Sequence, residues 1–417
     1  MAPKIPSEDI QSSSKKTGSQ YFQELLQQGS VTDGLNSALM AIHEIPWIDY
    51  DLLEKGRAFV KRNYAVVATT IMFTTTTGFV LKQAASTVFK TFYPNNTCGA
   101  RFLSTFRTTM CHWLSSDLMS GATNSEFVQA IRRVRKMHKM VGHHSSLKKP
   151  TVPPDGIKYP AEYTELLACI REDLKSVDTK DYPGHLISWT PSMYFTQLDM
   201  TMVAFGMFAP FIVYPNKIGL YTTFEEDEGL RGYIHIWAVI GKMLGVEDRY
   251  NLALHPDRDL YSEVFMKLII ASLKMADESV IFCAEKMMEG VINNTVPYCL
   301  TAKSMIYQAM ELSDFKGEKV WGMMNWHDKA TYYNSKFWIY CLRFSLAAQS
   351  RDYHQFLTNL ATPVFVLATW ENGIDLVLNW VQVSRFLTYL IRSKHVLKER
   401  VSRPNHENNP KKTRIKK

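Results

Sequence analysis

The chain is predicted to be all-α, in one large helical bundle, and three observations predict it. Apolar residues recur at helical spacing over most of the 417 positions. Alternating strand patterns are nearly absent, and an apolar content of 46% is enough to bury a large core with no linker dividing it.

The elements follow in order. Residues 1–20 are polar and read as a disordered arm, overlapping a short amphipathic start from Ser19 to Gln28. Tyr50 to Lys90 reads as one long, mostly apolar helix, followed by helices over Gly99 to Leu118 and Glu126 to Gly142, with Gly142 as the expected helix end. Pro150, Pro153 and Pro154 make the next stretch non-helical. A helix resumes over Pro160 to Ser176, with the proline where a helix start tolerates it. Further helices are expected over Met193 to Phe208, Glu225 to Leu244, Tyr261 to Met288 and Val296 to Ser313, and in the apolar run that ends at Ile391. The domain therefore runs from residue 21 to 393, and residues 394–417 form a basic tail.

Three stretches compete with membrane spans. Residues 65–80 and 202–214 are shorter than the roughly 18 to 20 apolar residues needed to cross a bilayer. Residues 363–391 contain Glu371, Asp375 and Arg385, each of which costs about 2.5 to 3.5 kcal/mol at mid-bilayer. Buried core helices are the expected assignment, with attachment to a membrane surface as the alternative.

The chain begins without the basic and apolar blocks of a secretory signal, and its six cysteines are scattered, so an intracellular protein with reduced thiols is expected. Net charge is +8, and Arg392 to Lys417 alone holds ten Lys or Arg against Glu399 and Glu407. The body of the protein is thus neutral. The tail has no aromatic residue to stack on bases, so nucleic acid is not an expected partner. It is expected to be either solvated, in a cytoplasmic protein, or held near an anionic membrane surface such as that of the endoplasmic reticulum.

The candidate chemistry centres on His138. Phe127, Ile131, Val134 and Val141 form a helical stripe with His138 in line, while Arg132, Arg133, Arg135, Lys136 and Lys139 are expected to cover the remaining surface. A buried imidazole needs a hydrogen-bond partner or a metal, and the stripe alone leaves both open. Upstream, Arg101, Thr105, Thr108 and His112 form a polar stripe opposite Phe102, Phe106, Met110, Trp113 and Leu114. That stripe faces either water or a polar pocket. No Glu-x-x-His, H-E-x-x-H, G-x-S-x-G, Gly-rich nucleotide loop or C-x-x-C-H is present, which excludes covalently attached c-type haem but not haem held by a side chain.

Arg101-x-x-x-Thr105 followed by Val134-Arg135-x-x-His138 resembles the core of the MpaB and latex-clearing-protein (rubber oxygenase) family. Trp189-x-Pro191, Gln197-x-Asp199 and His235-x-Trp237-x-x-x-Gly241-x-x-Leu244-Gly245-x-x-Asp248 resemble a later block of it, and the likeness covers roughly residues 50–251. The resemblance implies a helical bundle enclosing a b-type haem, with His138 as the iron ligand and Arg135 beside a propionate. It places Arg101 and Thr105 in the distal pocket and makes O2 the co-substrate. The implied activity is oxidative C=C cleavage of an apolar, isoprenoid-type small molecule. Two departures stand out: Ser104 and Gly142 occupy positions where the rubber-cleaving branch has a lysine and an arginine. Polyisoprene itself is therefore not the implied substrate. A haem sensor or carrier without turnover, and a haem-free protein at a membrane surface, are the rival readings. His143 and His144 are expected to be exposed, and His235 is expected to be a packed core histidine.

Overall fold

Side-chain caps set most of the helix starts in the computed structural model, which describes residues 18–35, 41–78, 104–114, 125–147, 158–180, 193–220, 222–294 and 301–347. All of these belong to one unit of the chain, Met1–Thr369. The described helices are α1 (Gly18–Glu24), α2 (Tyr50–Arg62), α3 (Tyr64–Thr77), α4 (Glu126–Leu147), α5 (Ala161–Asp173), α6 (Gln197–Val213), α7 (Glu228–Leu244), α8 (Arg258–Val264), α9 (Ala271–Lys274), α10 (Glu278–Asn294), α11 (Ala302–Leu312), α12 (Glu318–Met323) and α13 (Trp326–Ala347). Among the described residues the only β-type pairing is an isolated bridge between Asp33 and Thr196. The predicted all-α class holds.

Each cap satisfies amides that the first turn leaves open. Asp49 accepts from Leu52 N ahead of α2, Asp257 from Leu260 N ahead of α8, and Asp227 from Gly229 N and Leu230 N ahead of α7. Thr196 and Asp199 form a reciprocal capping box at α6, as do Thr301 and Ser304 at α11. The acidic run before α7 thus supplies its cap as well as charge near its positive end.

Helices α2 and α7 cross with backbone against backbone. A Cβ on Gly56 would lie 2.3 Å from the carbonyl carbon of Gly232, and one on Gly232 would lie 2.2 Å from the carbonyl oxygen of Leu52. No side chain fits at that crossing. Around it α6 buries nearly its whole length, including Phe205, Phe208 and Phe211, and the Tyr233 hydroxyl donates to Met207 O at 2.8 Å. A second apolar cluster joins α5, α10, α11 and α12 through Leu166, Ile170, Ile281, Met310 and Val320. There the Asp173 carboxylate accepts from Lys319 N and Val320 N.

Several boundaries differ from the sequence expectation, each for a local reason. The helix expected from Tyr50 is interrupted at Asn63, whose amide donates to Phe59 O at 3.1 Å and closes the end of α2. The helix expected over Tyr261 to Met288 breaks before Asp277, which accepts from Val280 N to start α10. Helix α6 starts at Gln197 rather than Met193, because Phe195 takes positive φ. Gly142 does not end its helix, since α4 continues to Leu147. Helix α13 was not singled out by periodicity, because its apolar residues are split between two faces.

Within 65–80, Val66, Val67, Ala68 and Ile71 of α3 are buried in the core, and α6 covers most of 202–214. Among the described residues no helix is long and apolar enough to cross a membrane. Residues 363–391, the Pro-rich stretch at 149–154 and the basic tail lie outside the described residues.

Candidate functional site

His138 lies where α4 meets the extended residues ahead of α6. Phe127 and Ile131 anchor its stripe in the core, and Val134, His138 and Val141 continue it half-buried. The imidazole stacks on Phe195, with ring centroids 4.4 Å apart and planes 20° apart. Its Nδ1 is shut off from solvent and has no hydrogen-bond partner among the described residues. Burial, reinforced by the neighbouring positive charge of Arg135, pushes the His138 pKa down to about 4. The ring is therefore neutral at pH 7, with an unused polar atom in the interior.

Phe195 is held against that ring at a backbone cost. Its φ of 57° is in the left-handed region, which costs a bulky side chain on the order of 1–3 kcal/mol. Three contacts keep it there: Gly34 N donates to Phe195 O at 2.9 Å, Gln197 N donates to Thr32 O at 2.8 Å, and Thr196 is fixed as the α6 cap. A glycine makes the room: a Cβ on Gly34 would approach Phe195 O to 2.6 Å, whereas one on Gly142 would make ordinary contact with Phe195 Cδ2 at 3.4 Å. Gly142 stands one helical turn beyond His138, so the two residues flank the same phenyl ring.

The end of α7 ties these pieces together. Arg135, expected on the solvent side, is instead 5% exposed, and its Nη1 donates to Met243 O at 2.9 Å. Met243 O is among the last carbonyls of α7, which lack partners within the helix, so a guanidinium is a strong partner there. From the other side Gln197 Nε2 donates to Gly245 O at 3.0 Å, while its Oε1 accepts from Glu247 N at 3.0 Å. Arg135 and Gln197 thus grip one turn and bring His138 and Phe195 into a common frame.

The remaining candidates fall elsewhere. Thr105 is exposed, and Arg101 lies outside the described residues. Phe106, Thr109, Met110, Trp113 and Leu114 form the buried side of that segment, so its Thr105 face is turned to solvent. His112 Nδ1 lies 2.6 Å from Glu126 Oε1 and fastens the segment to the first turn of α4. His143 is exposed. His235 accepts from Asp49 N at 3.0 Å through Nε2 and packs against Trp47, which makes it part of the α2 start. Of the later block, Asp199 caps α6, Trp237 packs on Trp113, and Asp248 accepts from Trp47 Nε1 and pairs with Lys242. Trp189 and Pro191 lie outside the described residues.

Among the described residues no group of three or more His, Cys, Asp or Glu could hold a metal ion. A porphyrin iron needs only a single imidazole from the protein, so His138 stands as the candidate donor. Comparison with known proteins returns no matching family model, no curated relative and no similar solved structure.

Sequence reasoning missed Phe195 and the burial of Arg135. Phe195 carries no local signal, since the close approach that fixes it is to Gly34, far away in the sequence. Nothing local marked Arg135 as the basic residue that turns inward.

Proposed function

We propose that this chain is a haem b protein that holds the iron through His138 and acts as an oxygenase-like oxidoreductase on an apolar small molecule. The observation that carries this reading is the neutral imidazole of His138 with Nδ1 enclosed and unpartnered. A buried polar atom without a partner is costly, and metal coordination is one use that explains its retention.

The donor chemistry fits the group. A neutral imidazole is the form that ligates iron, and a pKa of about 4 keeps it so at every physiological pH. When bound, the porphyrin would supply O2 activation, the hard chemistry of C=C cleavage. The chain's own part is positional. Phe195 fixes the plane of the imidazole and covers one of its faces against water. Gly142 leaves space for that phenyl ring, where an arginine would fill it. Arg135 disfavours protonation of His138 and anchors α4 to α7. Because its Nη1 is committed to Met243 O, a propionate contact is a secondary role for Arg135.

A non-catalytic haem sensor or carrier is the second reading, and the exposure of Thr105 favours it, since a solvated hydroxyl contributes little to an enclosed O2 site. The absorption spectrum of the purified full-length chain supplied with haem tests both. A Soret band lost in His138→Ala and kept in His235→Ala is the expected result. A folded protein that stays colourless, or a band unchanged by His138→Ala, would overturn the haem assignment. O2 uptake with unsaturated lipids then separates enzyme from carrier.

A further inference from the structure

We infer that the outer face of α13 is a docking surface for an anionic lipid bilayer. Trp326, Tyr333 and Tyr340 are 80%, 60% and 67% exposed. They follow one another at seven-residue spacings, so they share one stripe of a single helix. The opposite side of α13 is engaged with the bundle. There Thr331 and Tyr332 are buried, the Tyr332 hydroxyl donates to Glu311 Oε1 at 3.1 Å, and Lys336 pairs with Glu311 at 2.5 Å. The helix is thus fixed by one face while presenting aromatic rings on the other.

The side chains suit a bilayer: indole and phenol groups favour the headgroup layer, where the ring is dry and the polar end wet. Charge points the same way. The chain downstream of α13 ends in the Arg392 to Lys417 segment with its ten cations, which an anionic surface attracts and a second copy of the chain would repel. Apolar burial and electrostatic attraction both add to the strength of such surface binding. This surface does not depend on the porphyrin reading.

The test is co-sedimentation of the full-length protein with phosphatidylcholine vesicles, with and without phosphatidylserine. Wild type is expected to bind the phosphatidylserine vesicles preferentially. The combined Trp326→Ser, Tyr333→Ser and Tyr340→Ser variant is expected to bind them about tenfold more weakly, equivalent to about 1.4 kcal/mol. Because the Tyr333 ring also packs on Trp321 and Tyr332, the control is the Trp326→Ser and Tyr340→Ser double variant, whose circular dichroism melt should coincide with that of wild type while its vesicle binding is weakened. Equal binding of the variant and wild type overturns the inference. So does a wild-type dimer that the variant dissociates, which would assign the face to a second copy. A third overturning result is an indole at position 326 already shielded without lipid, read as no difference in acrylamide quenching between wild type and Trp326→Phe, which would assign the face to the chain's own segment.

Discussion

His138 and His235 occupy similar positions and have different fates. Each sits half-buried on the apolar stripe of a long helix, and burial lowers the pKa of each. His235 gives its Nε2 to the amide of Asp49, at the residue that caps α2, so its polarity is used within the fold. His138 keeps an enclosed nitrogen that no described residue uses. Burial alone therefore does not single out a candidate histidine; the accounting of its hydrogen bonds does.

On the proposed haem reading, the largest expected effect that separates the two is on the Soret band. His138→Ala should abolish the Soret band and His235→Ala should leave it in place, and equal loss in both would show that the contrast is one of stability only. Next comes Arg135→Ala, which strands Met243 O and empties a buried site beside His138. It is expected to cost about 2–4 kcal/mol in urea unfolding, whereas Arg132→Ala on the exposed side should cost under about 0.5 kcal/mol.

The acid limb of stability carries the same contrast. With a folded pKa near 4 against 6.5 when unfolded, His138 lets the unfolded chain bind the extra proton between those values. Its contribution is complete above pH 6.5 and is lost as pH falls to 4, by up to about 3 kcal/mol at 1.36 kcal/mol per unit. His138→Phe should flatten that limb, and an unchanged pH profile would mean that the ring is more open to water than described. His235→Phe removes the acceptor for Asp49 N and should cost about 1–2 kcal/mol. Smallest is Gly142→Ala, where about 1 kcal/mol of helix propensity is offset by a methyl group 3.4 Å from Phe195. The net change is expected within about 1 kcal/mol, and a larger loss would mean the phenyl ring has no freedom to yield.

How much of this was legible in the sequence depends on whether the decisive contact is local. The helices over α4, α5 and α7 and their caps are short-range features, and the sequence carries them. The inward stripe through Phe127, Ile131 and His138 was legible for the same reason. The break at Asn63 was not, because Lys61, Arg62 and Asn63 read equally well as the polar face of a continuing helix. Arg135 was assigned to solvent on charge alone, since the carbonyl that draws it inward belongs to α7, 108 positions away. The left-handed Phe195 was hidden too, as it is imposed by a pairing with Gly34 that no window of sequence contains. The polar stripe of Thr105 was readable, but only the structure shows that its face is turned to solvent.

The bare contact between Gly56 and Gly232 has a mechanical corollary. With no side chain between them, the two helices have no soft material to compress or to slide along, so they form the stiff axle of the bundle. Neither α4 nor the residues ahead of α6 contribute to that contact, so displacing them would leave it intact.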